Sequence, residues 1–343
     1  MLLFRPATLA DLMAVEQLAN EAPVGMTSLP ANREALQHRI KASQQSLAAQ
    51  VRCYGEESYL FVLEDTRTGE IVGIAGVVAA AGMSEAFYSF RQETLIHASP
   101  ALAVHNKIAV LSLCHDLTGH TLLTSFYLRP SYATLPLAHL LSRARFLFMA
   151  NAPARFADSV VSEMLGVTRD DGSSPFWDAV GEPFFGIDYQ QAEMICGVKG
   201  RKFIAELMPQ HPVYVPLLSA EAQAVIGQVG APSALPCHVL RAEGFELSPY
   251  IDIFDGGPTL LVRTDAIHTL QQQRLYPIEL LSVLPADAKP YLLANVAVAE
   301  FRCVLAPAHL TADGIQISAD TAQLLQRQAG DELRCIALES EVQ

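Results

Sequence analysis

Residues 123–149 read LTSFYLRPSYATLPLAHLLSRARFLFM. An apolar strand runs into a short loop opened by Arg129-Pro130, and a long amphipathic helix follows, ending near Met149. In that order the first backbone N–H groups of the helix face whatever lies beyond the strand, a ready anion site. Glycines in the loop would let this backbone close on a pyrophosphate. The loop 131–138 has no glycine and no basic residue, and Pro136 removes one more donor. The stretch has the layout of a phosphate-binding turn with a weakened grip.

Around it, 343 residues suffice for a substantial core and for roughly two or three units. With 51% hydrophobic and 17% charged residues the chain is an ordinary globular protein, not a disordered one. Its 23 Lys and Arg against 36 Asp and Glu give a net charge of -13 without a dense basic run, which excludes a nucleic-acid partner. An acidic balance suits solubility and, inside a pocket, a cationic substrate. The cysteines at 53, 114, 196, 237, 303 and 335 form no CxxC and no metal-ligand spacing with histidine, so they read as reduced thiols, with no metal expected. MLLFRPATLADL lacks the long apolar segment of a signal peptide, and the run 71–83 is too short to span a bilayer. A cytoplasmic protein with no membrane partner is expected.

Along the chain, residues 1–6 predict a strand. A helix capped by Thr8 or Asp11 follows, with Leu9, Leu12, Val15 and Leu18 on one face. GMTSLP (25–30) reads as loop, and 33–51 as a second helix on Leu36, Ile40, Leu47 and Val51. SYLFVLEDTRTGEIVGIAGVVAAAG predicts a hairpin in which Gly69 supplies the positive φ of a tight turn. Strands are expected at 107–116, 121–128 and 159–168, and short helices at SPFWDAVG and LLSAEAQAVIGQVG; 201–208 is open between helix and strand. A helix over 234–243 stops at Gly244, and 245–254 is a strand broken by Pro249. From about Arg263 short β-runs, a helix near Ser318 and a Gly330-Asp331 turn predict a small C-terminal β-barrel.

One strand, two helices, a hairpin, further strands, loop and helix, then helix-Gly-Phe in CHVLRAEGFE (237–246) is an order similar to that of the GNAT acyl-CoA N-acyltransferases. Longer strings make the likeness closer: GMTSLP, SYLFVLED (58–65), HNKIAVLSLCHDLTG (105–119), SPFWDAVG (174–181), FIAELMPQHPVY (203–214) and YIDIFDGGPTL (250–260). They resemble the arginine N-succinyltransferase family, in its alpha-subunit branch, across nearly the whole chain. The resemblance implies an α/β, GNAT-like domain over 1–262 and a small β-rich domain over 263–343. It also implies transfer of succinyl from succinyl-CoA to the α-amino group of arginine or ornithine, in an oligomer with a homologous beta subunit or with itself. The alternative is a non-catalytic alpha subunit that supports a catalytic partner chain.

In such a site the CoA arm would pair with the backbone of Ser125, Phe126, Tyr127 and Leu128, the family's succinyl-CoA contact aligning with Phe126. Where family members resemble R-x-x-G-x-G, this chain has YATLPLA (132–138). The family's proton donor is a histidine in GQVHP, and here GQVGAP places Gly230 at that position. His211, His238 and Glu163 are the candidate substitutes, with Glu206 a further carboxylate in an apolar run. His115 and Asp116 are adjacent on a strand and point to opposite faces, which discounts them as a pair. Asp252 and Asp255 are candidates for holding a cationic substrate, or Asp255 bonds turn N–H groups. Thr27 and Ser28 either meet a carboxylate or cap, and Trp177 is expected in the core.

Overall fold

The computed structural model describes residues 1–200 and 202–338. Its spine is a mixed sheet built from β1 (Leu2–Pro6), β2 (Ser58–Asp65), β3 (Glu70–Val78), β4 (Ser89–Ser99), β5 (Val104–Cys114), β6 (Thr121–Leu128), β7 (Ser159–Glu163), β8 (Val213–Tyr214), β9 (Glu246–Ile251) and β10 (Pro258–Arg263). These lie in the order β1-β2-β3-β6-β7-β10-β9-β4-β5-β8. All neighbours are antiparallel except β6 and β7, and that exception creates the site. The hairpin β2–β3 turns at Gly69, φ 74°, as its sequence predicts.

Helices α1 (Leu12–Glu21) and α2 (Arg33–Ala48) cover one face of the sheet, burying Val15, Leu18, Leu36 and Ile40 against Val62 and Ile74. Helix α3 (Leu135–Asn151) lies on the other face. Every residue from Ala138 to Met149 is buried, so this helix is wrapped on all sides rather than amphipathic. Its neighbours in the core include Val72 and Val77 of the sheet, Val239 and Leu240 of a later helix, and Leu292 and Cys303 beyond residue 262.

A helical layer packs around Trp177, which is fully buried: α4 (Pro175–Val180), α5 (Glu182–Phe185), α6 (Tyr189–Lys199), α7 (Lys202–Leu207) and α8 (Ala220–Val225). The ambiguous segment at 201–208 is thus helical over Lys202–Leu207, Arg201 lying outside the described residues. Helix α9 (Ala234–Ala242) ends at Gly244, φ 94°, and the short α10 (His268–Gln272) leads out of the sheet.

The remaining strands, β11 (Arg274–Leu281), β12 (Lys289–Ala294), β13 (Cys303–Leu310), β14 (Ile315–Ser318) and β15 (Glu332–Ala337), close on themselves as a barrel, with α11 (Ala319–Leu324) between β14 and β15. The circuit runs β11-β15-β12-β13-β14 and returns through parallel pairing of Ile278–Leu281 with Ile315–Ser318. Strand β13 also pairs with β1 at Leu3↔Val304 and Phe4↔Cys303, tying barrel to sheet.

Three expectations about strands change. Strand β7 stops at Glu163, not 168, because the chain then leaves the sheet towards α4. Strand β4 is not evident in the sequence: SFRQETLIHAS carries charges and buries only Ser89 and Phe90, so it shows no two-residue apolar alternation although it is fully paired with β5. Pro249 does not break β9; it falls where the register with β10 shifts, a bulge that needs no ladder donor.

Candidate functional site

Strands β6 and β7 pair only at Thr121↔Val160 and Leu122↔Val161, and then diverge. Residues 122–126 of β6 and 162–165, from the end of β7 onward, line a cavity of about 110 Å³. The loop 25–28, Ser233 at the head of α9, Asp252, Asp255 and Arg145 of α3 complete its walls.

Strand β6 is bulged at this point. Ile74 pairs with Tyr127 but Gly76 pairs with Thr124, so β6 carries one extra residue, and Ser125 takes a left-handed φ of 54°. A non-glycine residue holds that conformation only when its surroundings impose it. Ser28 does so: Ser125 N donates to Ser28 Oγ (2.9 Å) and Ser125 Oγ donates to Ser28 O (2.8 Å). Arg39 Nη1 donates to the same carbonyl (2.8 Å) and Nη2 to Thr27 O (3.1 Å). The GMTSLP loop is therefore stitched to the bulge, and Thr27, Ser28, Ser125 and Phe126 face one space.

The acidic wall comes from the turn after β9. Asp252 Oδ1 accepts Phe254 N (2.7 Å) and Asp255 N (3.0 Å), so one oxygen builds the turn and the half-buried carboxylate still borders the cavity. Asp255 is fully enclosed and accepts Gly166 N at Oδ2 (2.7 Å) and Gly257 N at Oδ1 (2.8 Å). Of the two roles open to Asp255, bonding backbone N–H groups is the one its geometry carries. Burial first, and the Asp252 carboxylate second, push its pKa up to about 8.

A carboxyl raised this way stabilises the fold fully below its unfolded value of about 3.9, and that contribution is lost as pH rises through about 8. Asn at this position does not titrate. The melting-temperature gap between wild type and Asp255→Asn is expected to narrow from about pH 5 to about pH 8.5. An unchanged gap means that Asp255 is already ionised in the fold.

Gly230 sits where three backbone segments touch. Its N–H donates to Leu165 O (2.8 Å), and a Cβ built on it would overlap the Gly166 carbonyl oxygen and stand 2.8 Å from the carbonyl carbon. Gly166 in turn is pressed on Asp255, its Cβ position lying 2.5 Å from Asp255 O. The position aligned with the histidine of GQVHP is closed to any side chain.

Among the other sequence candidates, Glu163 ends β7 at the cavity, with Oε1 sealed from solvent. His211, in the turn after α7, and His238, on the outer face of α9, are exposed and do not line the cavity; Glu206 is exposed on α7. Tyr127 and Leu128 leave the site as well. Tyr127 packs towards α1 and its hydroxyl donates to Glu21 O (3.3 Å), while Leu128 is buried in the core.

The turn before α3 is shut rather than cradled. Arg129 is held by Glu21 (3.1 Å) and Glu70, Ala138 N bonds Thr134 O (2.9 Å), and Tyr132, Leu135 and Leu137 rest on the core. Thr134 gives this first turn no side-chain cap, and Pro136 has no N–H to offer.

Sequence reasoning missed Ser162, Ser233 and Arg145. Ser233 Oγ accepts Leu165 N (2.8 Å), fixing the segment that follows β7. Arg145 lay in plain view in SRARFLFM, a basic residue among apolar ones on every side of a helix, which is the mark of a charge carried into a core. Among the described residues no group of three or more His, Cys, Asp or Glu side chains is placed to hold a metal ion, and no helix is long and apolar enough to cross a membrane.

A family model described as arginine N-succinyltransferase beta subunit matches residues 2–269, and one described as the C-terminal domain of that subunit matches 274–337. The chain is 49% identical to the arginine N-succinyltransferase subunit alpha of Pseudomonas aeruginosa, over 98% of this chain and 100% of that one. It is 40% identical to an arginine N-succinyltransferase of Salmonella paratyphi B, over 98% of each. The solved structure of arginine/ornithine succinyltransferase subunit AI from Pseudomonas aeruginosa superimposes with a TM-score of 0.92 at 46% identity, covering 99% of both chains. Matches of this extent assign the whole chain: it belongs to the arginine N-succinyltransferase family.

Proposed function

We propose that this chain transfers the succinyl group of succinyl-CoA to the α-amino group of arginine or ornithine. The observation that carries the reading is the convergence of a bulged strand and an acidic turn on one cavity. Strand β6, displaced from β3 at Ser125, has backbone to offer an extended thioester arm, and Asp252 stands opposite to draw in a cationic amino acid. We read the architecture as GNAT-like on the same grounds: a bulged strand that splays from a parallel neighbour. The proposed division at 262/263 leaves every lining residue in the first unit.

The chemistry is a direct displacement. The neutral amine adds to the thioester carbonyl, a C–N bond forms, the C–S bond breaks, and CoA leaves as a thiol after taking a proton. The ammonium must first give up a proton, and we assign Glu163, a carboxylate that lines the cavity, to receive it. The closed backbone at Gly230 favours a second reading, in which the chain supports a catalytic partner subunit. Reduced thiols and the acidic composition fit a cytoplasmic setting.

Calorimetry of the isolated chain with succinyl-CoA is expected to show binding, followed by CoA release that requires both the thioester and arginine or ornithine. No heat at millimolar succinyl-CoA rules out the autonomous enzyme. Turnover that appears only when a partner chain is added favours the second reading.

A further inference from the structure

Arg145 is 1% exposed, yet among the described residues no carboxylate meets its guanidinium. Nε donates to Ser142 O (3.2 Å), Nη2 to Ser142 Oγ (2.9 Å) and Nη1, at a long 3.4 Å, to Gly76 O. The guanidinium carbon stands 5.7 Å from the centre of the Phe126 ring. Five N–H groups are thus served by three bonds to neutral oxygens.

Two residues earlier on the same helix the protein solves the same problem in the usual way. Arg143 Nε reaches Glu243 Oε1 at 2.8 Å, and both side chains are buried. Arg5 likewise holds Asp11 and Glu64. A buried cation without an anion is costly, and proteins keep such groups where a ligand supplies the missing charge. Burial also lowers the Arg145 pKa to about 9, the direction expected of a cation that waits for a partner.

The cavity bordered by Arg145 is polarised. Its α3 and β6 wall carries the guanidinium beside Phe126, and the wall from β7 and the 252–255 turn carries the acids. Its volume of about 110 Å³ has room for several water molecules, the scale of a short acyl chain.

We infer that Arg145 is the receptor for a substrate carboxylate, and that this carboxylate is the free end of the succinyl group. The inference rests on the proposed function and adds the determinant of donor choice. The acceptor's own α-carboxylate offers the same chemistry, but the acceptor's cation is drawn to the acidic wall, and Arg145 packs on Phe126, where the acyl donor is expected to run. Arg145 therefore acts as a specificity residue: it rewards a dicarboxylic acyl group and rejects a plain one, whose methyl end would leave the buried cation unpaired.

The test compares binding of succinyl-CoA and butyryl-CoA, which has the same four-carbon chain without the carboxylate, to the wild-type full-length chain and to Arg145→Met. Wild type is expected to favour succinyl-CoA by about 10–100-fold, and Arg145→Met to lose that preference while binding butyryl-CoA at least as well. Arg145→Lys keeps a charge but not the fork, and is expected to fall between them even if the methionine variant fails to fold. Equal affinity of wild type for the two thioesters overturns the inference alone; binding of neither overturns the functional reading with it. Arginine and agmatine, which lacks the carboxylate, form the second arm. An arginine-over-agmatine preference that disappears in Arg145→Met would assign the receptor to the acceptor and overturn the choice of succinyl.

Discussion

Gly230→His is expected to destabilise the protein by about 3 kcal/mol or more and to yield no gain in CoA release. The substitution puts a histidine where the resemblance to GQVHP leads one to expect it, so a gain would be the naive outcome. The geometry forbids it. The new Cβ would occupy the Gly166 carbonyl, and that carbonyl cannot yield, because Gly166 N is held by Asp255 Oδ2 at 2.7 Å and Gly230 N by Leu165 O at 2.8 Å. What must move is backbone, and with it the acidic turn at the cavity. Thermal melting beside a CoA-release assay checks both halves. A variant that melts within about a degree of wild type and turns over faster would show that the 165–166 segment opens freely.

The same contact explains what could be read in the residues and what could not. Turns and stops were legible wherever a local rule decides them: Gly69 closes β2–β3 and Gly244 ends α9, each with positive φ. The barrel was legible because its runs are short, alternate, and are parted by turn residues. Helix α3 misled, since a helix apolar on nearly every side differs from an amphipathic one only in what surrounds it, and the barrel that covers it lies more than a hundred residues downstream. Strand β4 was illegible for the opposite reason: its partner is a neighbouring strand rather than a core.

Site residues divide in a similar way. Thr27, Ser28, Ser125, Phe126, Glu163, Asp252 and Asp255 come from four separate stretches and meet at one cavity. Which atoms remain available there depends on tertiary bonds that residue type does not reveal. Asp255 spends both oxygens on Gly166 and Gly257, whereas Asp252 spends one. Histidine chemistry suggests His211 and His238, but both are exposed, away from the cavity. Arg145 was passed over because an arginine in a helix is ordinarily a surface residue.

Asp252→Asn is expected to raise the KM for the amino-acid acceptor by about 10–100-fold, the worth of one charge-assisted contact, with succinyl-CoA affinity unchanged. Asparagine keeps Oδ1, which accepts Phe254 N and Asp255 N, so the turn survives and only the charge at the cavity is lost. Asp252→Ala removes turn and charge together and is expected to lower the melting temperature as well, which separates the two roles. The asparagine variant also relieves Asp255 of a neighbouring negative charge, the second cause of its raised pKa, and so shifts the pH-dependent loss of stability to lower pH. Steady-state kinetics with arginine, ornithine and agmatine measure the first effect and melting curves across pH the second. An acceptor KM that stays at the wild-type value would place the cation elsewhere on the acidic wall, with Glu163 the remaining carboxylate that borders the cavity without a turn to build.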